Sequence, residues 1–500
     1  MQHTKTGEMD VLMASISVLY HCKIGLTVYR RTKMVDSKIT EAEEDVDLIN
    51  DEMIEQGVHN YSSERDYVVP SDERVRQKLE WFKDQKLALM MHWGINSQLG
   101  IVESWALSDA DADWSRHQID WQVTGEEFKQ QYFDLNKTFN PIRFQPDAWA
   151  KIAKEAGIRY FLFTTKHHDG FCMWDTQYSD YKITGEDCPF HTHRYADICG
   201  HLFEAFRRQN IGIAAYFSKA DWHIESYWNT HHEKRNYQNR GPSYNPTEFP
   251  EEWERFVQYT HNQIMELGTG YGKIDIMWFD AGWVCKENNQ DIRLGEVIDR
   301  LRKVQPGMLC ADRTVGGAYE NYVTPEQCVP DKPLNIPWES CITMGNSFSY
   351  EYDDTYKDVR QVLGLLIDIV AKGGNLAINV APQPDGRLPK PAVKTLKEMG
   401  QWLSINGEAI YETRVKFPYK LNNIAFTCNK EKVYAIEYFD TDDAEVVTEV
   451  LLPITDTFSK ITSVATGKEL NFTKTDKGYI VQCEEHTKQT APIARCYCLT

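Results

Sequence analysis

Short apolar runs alternate with longer amphipathic segments between residues 75 and 411. Most of the runs are apolar nearly throughout, which is typical of strands covered on both faces. The predicted strands are 87–92, 160–166, 211–218, 274–280, 308–313, 334–339 and 376–380. The predicted helices are 148–155, 195–209, 250–267, 292–304, 356–372 and 391–406. This alternation predicts a parallel sheet, and seven repeats favour a (β/α)8-like, TIM-type barrel in domain 66–411, although no pattern marks an eighth strand.

The pattern changes beyond residue 412, where helical periodicity stops. The runs at 433–439, 446–452, 460–464, 479–483 and 493–499 alternate or are β-branched, and turn-forming residues separate them. Short strands joined by turns are typical of antiparallel sheets. Residues 412–500 are therefore predicted to form a C-terminal antiparallel β-sandwich domain.

The first 65 residues differ from both regions. A basic cluster at 30–33 is followed by an acidic run at 41–52. Charge runs of this kind are usually solvated, as an exposed helix or a disordered tail. Residues 1–65 are interpreted as an N-terminal extension outside the fold.

Two features of the sequence bear on the cellular compartment of the protein: its cysteines and the apolar stretch at 11–28. The twelve cysteines show neither the dense spacing of a disulfide scaffold nor paired C-x-x-C motifs, which favours reduced thiols and a cytoplasmic protein. The stretch at 11–28 is broken by His21, Cys22 and Lys23 and lacks a preceding positive region. A periplasmic or secreted location, with this stretch as a signal, is the alternative. No other segment predicts a membrane span, so no membrane partner is expected.

The composition of the chain argues against one class of binding partner, nucleic acids. The chain is 42% hydrophobic and 26% charged, with a formal net charge of −19, which argues against binding to nucleic-acid phosphates. Fourteen tryptophans and 26 tyrosines suit a surface that stacks on sugar rings, but an aromatic-rich core would use the same residues.

Polar side chains close most of the predicted strands. They are His92 on the first strand, His167, His168 and Asp169 on the second, Tyr216 and Lys219 on the third, Asp280 on the fourth, Asp312 and Arg313 on the fifth, and Glu339 on the sixth. The carboxyl ends of barrel strands form one face, so these side chains are expected to converge on a single pocket.

Two carboxylates stand out in this set. Asp280 and Glu339 each end a predicted strand, next to Trp278 and Trp338 respectively. A pair of carboxylates is what glycoside hydrolysis requires, one to attack or stabilise the anomeric carbon and one to protonate the leaving oxygen. The tryptophans would help to keep one acid protonated by withholding water. The alternative is a structural salt bridge to Arg313 or Lys219.

The histidines allow a different hypothesis. His92, His167, His168 and Asp169 could bind zinc in a barrel hydrolase. However, neighbouring residues on an extended strand point to opposite faces, which disfavours joint ligation by His167 and His168. Neutral histidine serves sugar hydroxyls equally well, because it both donates and accepts hydrogen bonds.

Several motifs resemble those of one known family. They are MHWG at 91–94, TKHHDGF at 165–171, IMWFDAGW at 276–283, GGNLAINVAP at 373–382 and NGEAIY at 406–411. Over about residues 75–414 the chain resembles the α-L-fucosidases of glycoside hydrolase family 29. The resemblance implies a (β/α)8-like barrel with a C-terminal β-sandwich. It also implies retaining exo-hydrolysis of terminal α-L-fucose from fucosylated glycans, without metal or cofactor.

The resemblance also implies roles for individual residues. Asp280 matches the nucleophile and Glu339 is assigned as the acid/base. The implied substrate-binding residues are His92, Glu103, His167, His168, Tyr216, Trp278, Arg313, Trp338 and Phe348. Two segments depart from the family pattern: Ser104 is inserted after Glu103, and residues 346–350 lack the usual tryptophan and glycine.

Two other functions remain open at this point. One is a different barrel glycosidase with the same mechanism. The other is an inactive fucose-binding protein, which would require loss of the carboxylates, whereas both Asp280 and Glu339 are present. The leaving-group side is expected in the loops at 105–123 and 222–246. There Tyr227, Trp228, Tyr237 and Tyr244 either contact an acceptor sugar or pack.

Overall fold

A computed structural model describes residues 61–108, 115, 125–228, 239–439, 448–483 and 493–500. The predicted extension lies outside the described residues as far as residue 60, and so do the apolar stretch 11–28, most of the 105–123 loop and Tyr237. Seven parallel strands form one sheet in the order β5-β4-β3-β2-β1-β7-β6. They are β1 Leu87–Met91, β2 Tyr160–Lys166, β3 Gly212–Ser218, β4 Ile276–Asp280, β5 Leu309–Asp312, β6 Glu339–Thr343 and β7 Asn375–Asn379.

Residues 321–327 occupy the eighth position, between β5 and β6. The first amide of this segment donates to the carbonyl of Cys310 on β5 at 2.8 Å, and the last donates to that of Cys341 on β6 at 2.9 Å. Two isolated parallel bridges also join the segment to β6 and the residue before it. The sequence shows no strand here because Pro325 interrupts it and apolar residues are few. The segment nevertheless completes the predicted barrel.

Amphipathic helices cover the outside of the sheet, apart from Gly125–Phe133, whose Tyr132 donates to Asp169 near the carboxyl ends of the strands. The helices are α1 Glu73–Gln85, α2 Gly125–Phe133, α3 Pro146–Glu155, α4 Ile198–Arg208, α5 Pro250–Gly270, α6 Leu294–Arg302, α7 Val359–Ala371 and α8 Lys390–Asn406. Asp72, Asp197 and Asp358 cap the first turns of α1, α4 and α7 by accepting backbone N–H bonds. Of the helices in the described ranges, none combines the length and the apolar character needed to cross a membrane.

One predicted strand is wrong. The sequence predicts 334–339, but β6 begins at Glu339 and runs to Thr343. The apolar residues before it lie in a turn that contains Pro333 and Pro337. The true strand, ESCIT, carries three polar side chains and is buried throughout, so hydropathy does not mark it. Glu339 therefore starts its strand instead of ending it.

The C-terminal region forms two antiparallel sheets, ordered β12-β15-β10-β9-β8 and β11-β14-β13. The strands are β8 Arg414–Leu421, β9 Ile424–Cys428, β10 Val433–Tyr438, β11 Glu449–Leu452, β12 Ile461–Ser463, β13 Phe472–Thr475, β14 Gly478–Gln482 and β15 Ala494–Leu499. Phe426, Leu452, Tyr479 and Leu499 are fully buried in one cluster that both sheets share. The last barrel helix and β8 lie on either side of residue 411.

Candidate active site

Asp280 is the last residue of β4 and lies at the carboxyl end of the barrel. The chain turns sharply after it, because Ala281 adopts a left-handed conformation with φ 68°. A side chain on Gly282 would meet Thr314 Oγ1 at 1.9 Å, so only glycine fits this close approach. Asp280 is 7% exposed, at the edge of the core.

Two side chains from the neighbouring strands bind the Asp280 carboxylate. Tyr216, on β3, donates its hydroxyl to Asp280 Oδ2 at 2.5 Å. Arg313, directly after β5, places Nη1 3.0 Å from Asp280 Oδ1. Burial raises the pKa of Tyr216 well above its usual value, so the phenol stays a proton donor. The two bonds orient the carboxylate and place a positive charge beside it.

Arg313 binds a second carboxylate, that of Glu326. Its Nη2 donates to Glu326 Oε2, while Nη1 is occupied by Asp280. Glu326 comes from the bridging segment 321–327, and its side chain is 23% exposed, compared with 10% for Asp280. The sequence pattern does not reveal Glu326, because no apolar run marks its segment as a strand. The only indication of it in the sequence is its position, directly after Pro325 and shortly after Arg313.

Glu339 and Trp338 lie toward the opposite end of the barrel. Glu339 pairs in register with Asn375, the first residue of β7, and has no exposed surface. Its carboxylate accepts hydrogen bonds from Tyr160, the first residue of β2, and from Trp278. Trp338 is 1% exposed and packs on Gly374. The structure therefore does not bring these two predicted residues to the strand ends beside Asp280.

His92 lines the mouth next to Tyr216. The Nδ1 atom of His92 lies 2.9 Å from Asn379 Oδ1, and Asn379 donates its amide to the carbonyl of Phe348, so Nδ1 carries the proton. Burial lowers the pKa of His92 to about 4. The ring is neutral at pH 7, and its Nε2 atom is an acceptor.

His167 and His168 extend the same wall. His167 Nδ1 lies 2.7 Å from Ser104 Oγ, and His168 Nδ1 lies 2.7 Å from Ser218 Oγ. His168 Nε2 is 3.9 Å from Asp280 Oδ2. Burial lowers the pKa of His167 well below its usual value, so this ring is also neutral. A neutral imidazole offers both a donor and an acceptor to a polyhydroxylated ligand.

Glu103 and Phe348 complete the pocket. Glu103 accepts a hydrogen bond of 3.5 Å from Ser349 Oγ and is 5% exposed. Its pKa is raised well above the usual value, first by burial and then by the negative charges of Glu326 and Asp280. The Phe348 ring centroid is 5.0 Å from that of His92. Both predicted residues therefore join the Asp280 cluster.

The geometry also tests the alternative of a metal site. One ligand atom each from His167, His168 and Asp280 lies within 4.8 Å of the others. Both Asp280 oxygens already accept hydrogen bonds, and one faces the positive Arg313 guanidinium, which would repel a cation. Asp169, the other predicted ligand, instead accepts bonds from a tyrosine and a backbone amide. Imidazole and carboxylate groups in this arrangement suit the hydroxyls of a sugar better than a metal ion.

Aromatic residues flank the pocket beyond His168. Trp105 is partly exposed, and its ring centroid lies 5.2 Å from that of His168. Tyr227, Trp228 and Tyr244, predicted either to contact an acceptor sugar or to pack, are buried. Trp105 is thus the more accessible aromatic surface on this side.

Comparison with known proteins now identifies the family. A family model for alpha-L-fucosidase matches residues 54–408, more than two thirds of the chain. The chain belongs to the alpha-L-fucosidase family. The human tissue alpha-L-fucosidase (Homo sapiens) is 27% identical to this fucosidase over 443 residues, covering 82% of this chain and 86% of the human protein.

Solved structures agree with this family assignment. Alpha-L-fucosidase isoenzyme 1 from Paenibacillus thiaminolyticus is 26% identical, with a TM-score of 0.69 over 85% of this fucosidase and 99% of that chain. A family 29 alpha-L-fucosidase from Bacteroides thetaiotaomicron shares the fold, with 23% identity and a TM-score of 0.69 over 88% and 97% of the two chains. The predicted family, fold class and glycoside hydrolase activity are confirmed.

Proposed function

We propose that Asp280 and Glu326 carry out the two-step, retaining hydrolysis of terminal α-L-fucosides by this fucosidase. Asp280 attacks the anomeric carbon, while Glu326 protonates the departing glycosidic oxygen. Water then attacks the fucosyl ester, Glu326 accepts the proton of that water, and the Asp280 carboxylate is released. The observation that carries the proposal is the single Arg313 guanidinium that binds both carboxylates.

The guanidinium shared by Asp280 and Glu326 supports a reaction that retains the configuration at the anomeric carbon. Retaining glycosidases place their two carboxyl groups about 5 to 5.5 Å apart, closer than inverting enzymes. Two carboxylates bound by the two terminal nitrogens of one guanidinium lie near each other, which favours the closer, retaining arrangement. Glu326 is also the more exposed of the two, as suits a group that meets the leaving oxygen and then water.

The surrounding side chains are proposed to bind fucose in distinct ways. His92, His167 and His168 offer hydrogen bonds to its hydroxyls, with Glu103 nearby, and Phe348 provides an apolar wall for its methyl group. Trp278 and Trp338 are fully buried, so they support the pocket instead of touching the sugar. Tyr216 stacks on Trp278 and donates its hydroxyl to Asp280.

Hydrolysis of an aryl α-L-fucoside, followed by NMR, tests the reaction. We expect the α-anomer to be the first sugar released, because two inversions at the anomeric carbon restore its configuration. Matched aryl β-D-galactosides should be hydrolysed far more slowly. Initial release of the β-anomer would exclude a covalent intermediate. Binding of fucose without hydrolysis would instead favour the inactive, fucose-binding alternative.

Replacement of Glu326 tests the acid/base assignment. Glu326→Ala should lose much more activity on a fucosylated disaccharide than on an aryl fucoside with an acidic phenol, which needs little protonation. Azide needs no general base, so it should restore turnover of the aryl substrate and yield fucosyl azide. Glu103→Ala and Glu339→Ala are the comparisons, and azide rescue in either would move the acid/base role to that residue.

A further inference from the structure

Trp278 connects the base of the barrel with the active site. Its indole Nε1 donates to Glu339 Oε1 at 3.2 Å, and both side chains are fully buried. The other Glu339 oxygen accepts the hydroxyl of Tyr160, which itself accepts from Asn375 Nδ2 at 3.3 Å. Glu339 is therefore fixed by the first residues of β2 and β7.

The Trp278 ring contacts both side chains that bind Asp280, Tyr216 and Arg313. The Tyr216 ring stacks on it, with centroids 5.1 Å apart and an interplanar angle of 24°. The Arg313 guanidinium carbon lies over it, 4.6 Å from the ring centroid. An indole face attracts a guanidinium and packs favourably on a phenol ring. A rotation of Trp278 would move both donors relative to the Asp280 carboxylate.

We propose that Glu339 is a positioning residue that fixes Trp278, and through it the Tyr216 and Arg313 hydrogen bonds to Asp280. This inference rests on the proposed function, since it takes Asp280 as the nucleophile. Glu339 has no exposed surface through which to reach a leaving group or water. It acts by accepting the indole N–H, a bond that a neutral amide oxygen also makes.

Two Glu339 variants separate positioning from proton transfer. Glu339→Gln keeps an oxygen acceptor for Trp278, whereas Glu339→Leu keeps the volume but accepts no hydrogen bond. The measurement is the rate of fucosyl-enzyme formation per folded molecule, by rapid quench and mass spectrometry with an aryl fucoside. We expect Glu339→Gln to stay near the wild-type rate. Glu339→Leu should fall about 10- to 100-fold, as expected for a small displacement of reacting groups.

Glu437 provides a matched control in the C-terminal domain. It is 4% exposed and accepts a 2.9 Å hydrogen bond from the Tyr497 hydroxyl. Glu437→Leu also removes a buried acceptor, but it should lower only the thermal stability and leave the rate per folded molecule unchanged. An equal loss of rate in this variant would make the Glu339 effect a general result of destabilisation and overturn the proposal.

A double-mutant cycle tests whether the effect passes through Trp278. Trp278→Phe keeps an aromatic ring but removes the N–H, so it should slow fucosyl-enzyme formation, and adding Glu339→Leu should cost little more. Additive losses would overturn the proposal, as would full activity of Glu339→Leu or of Trp278→Phe. If Glu339→Leu does not fold, the rate of fucosyl-enzyme formation in Trp278→Phe is sufficient by itself to test the proposal.

The outcomes also separate this inference from the proposed function. Azide rescue of Glu339→Gln, with a loss that grows for poor leaving groups, would identify Glu339 as the acid/base and overturn its positioning role. Failure of the proposed function would appear differently, as full activity of Asp280→Ala in the same assay.

Discussion

Arg313 places Nη1 3.0 Å from Asp280 Oδ1, and both residues stand at the carboxyl ends of neighbouring strands. The pair is almost fully buried, so solvent screens it little. In the proposed mechanism the negative charge of Asp280 disappears into an ester bond in the first step and returns in the second. We therefore expect Arg313 to stabilise Asp280 most strongly as the leaving group of the second step.

Arg313→Lys is expected to lower kcat/KM about 100-fold with the fold retained. A guanidinium binds Asp280 and Glu326 with two different nitrogens, whereas an ammonium is a single point of charge and cannot keep both bonds. Steady-state kinetics on an aryl fucoside, with circular dichroism as the folding control, measure the effect. Activity within a few-fold of wild type would show that charge alone suffices.

Tyr216→Phe is expected to slow the second step more than the first. The Tyr216 hydroxyl donates to the Asp280 carboxylate, which in the proposed mechanism is the group released when water attacks. A hydrogen bond to a charged group contributes about 1.5 to 3 kcal/mol, or roughly 10- to 100-fold in rate. Both kcat and KM should fall together, with fucosyl-enzyme accumulating in mass spectra.

The control for this variant is Tyr434→Phe. It removes another buried phenol, bonded to Glu408 at 3.0 Å, from the C-terminal sheet. It should change neither kinetic constant. A fall in kcat without a fall in KM for Tyr216→Phe would contradict the assignment to the second step.

His92 should make the folded protein sensitive to acid. Its pKa is lowered by burial from 6.5 to about 4, so between these values the unfolded chain binds a proton that the folded chain does not. Stability is therefore lost as the pH falls from 6.5 to 4, by up to about 3 kcal/mol. Urea unfolding of His92→Asn should show a flatter dependence on pH over this interval. A dependence on pH as steep in His92→Asn as in the wild type would contradict this expectation.

Activity is expected to survive overnight chelation. The only described set of three ligand atoms, from His167, His168 and Asp280, faces a guanidinium that repels cations. Dialysis against a chelator, followed by the aryl fucoside assay, checks this. A stoichiometric zinc signal in elemental analysis, lost together with activity, would restore the metal hypothesis.

The sequence by itself determined the barrel, the C-terminal sheets and the position of Asp280 at the end of its strand. Strands covered on both faces are usually apolar, so a polar residue at the end of such a run indicates the open end of the barrel. Asp280 follows an apolar strand of this kind, and the end of β4 falls where the sequence predicts. His92, His167, His168, Tyr216 and Arg313 were found by the same argument.

Only the tertiary structure decided which second carboxylate reaches Asp280. The strand ESCIT is polar and the segment 321–327 contains a proline, so hydropathy reveals neither element. A shift of five residues in the start of β6 moves Glu339 from the expected pocket to the base of the barrel. Glu326 reaches Arg313 because main-chain hydrogen bonds to β5 and β6 hold its segment in the eighth position, and such long-range pairing leaves no local pattern.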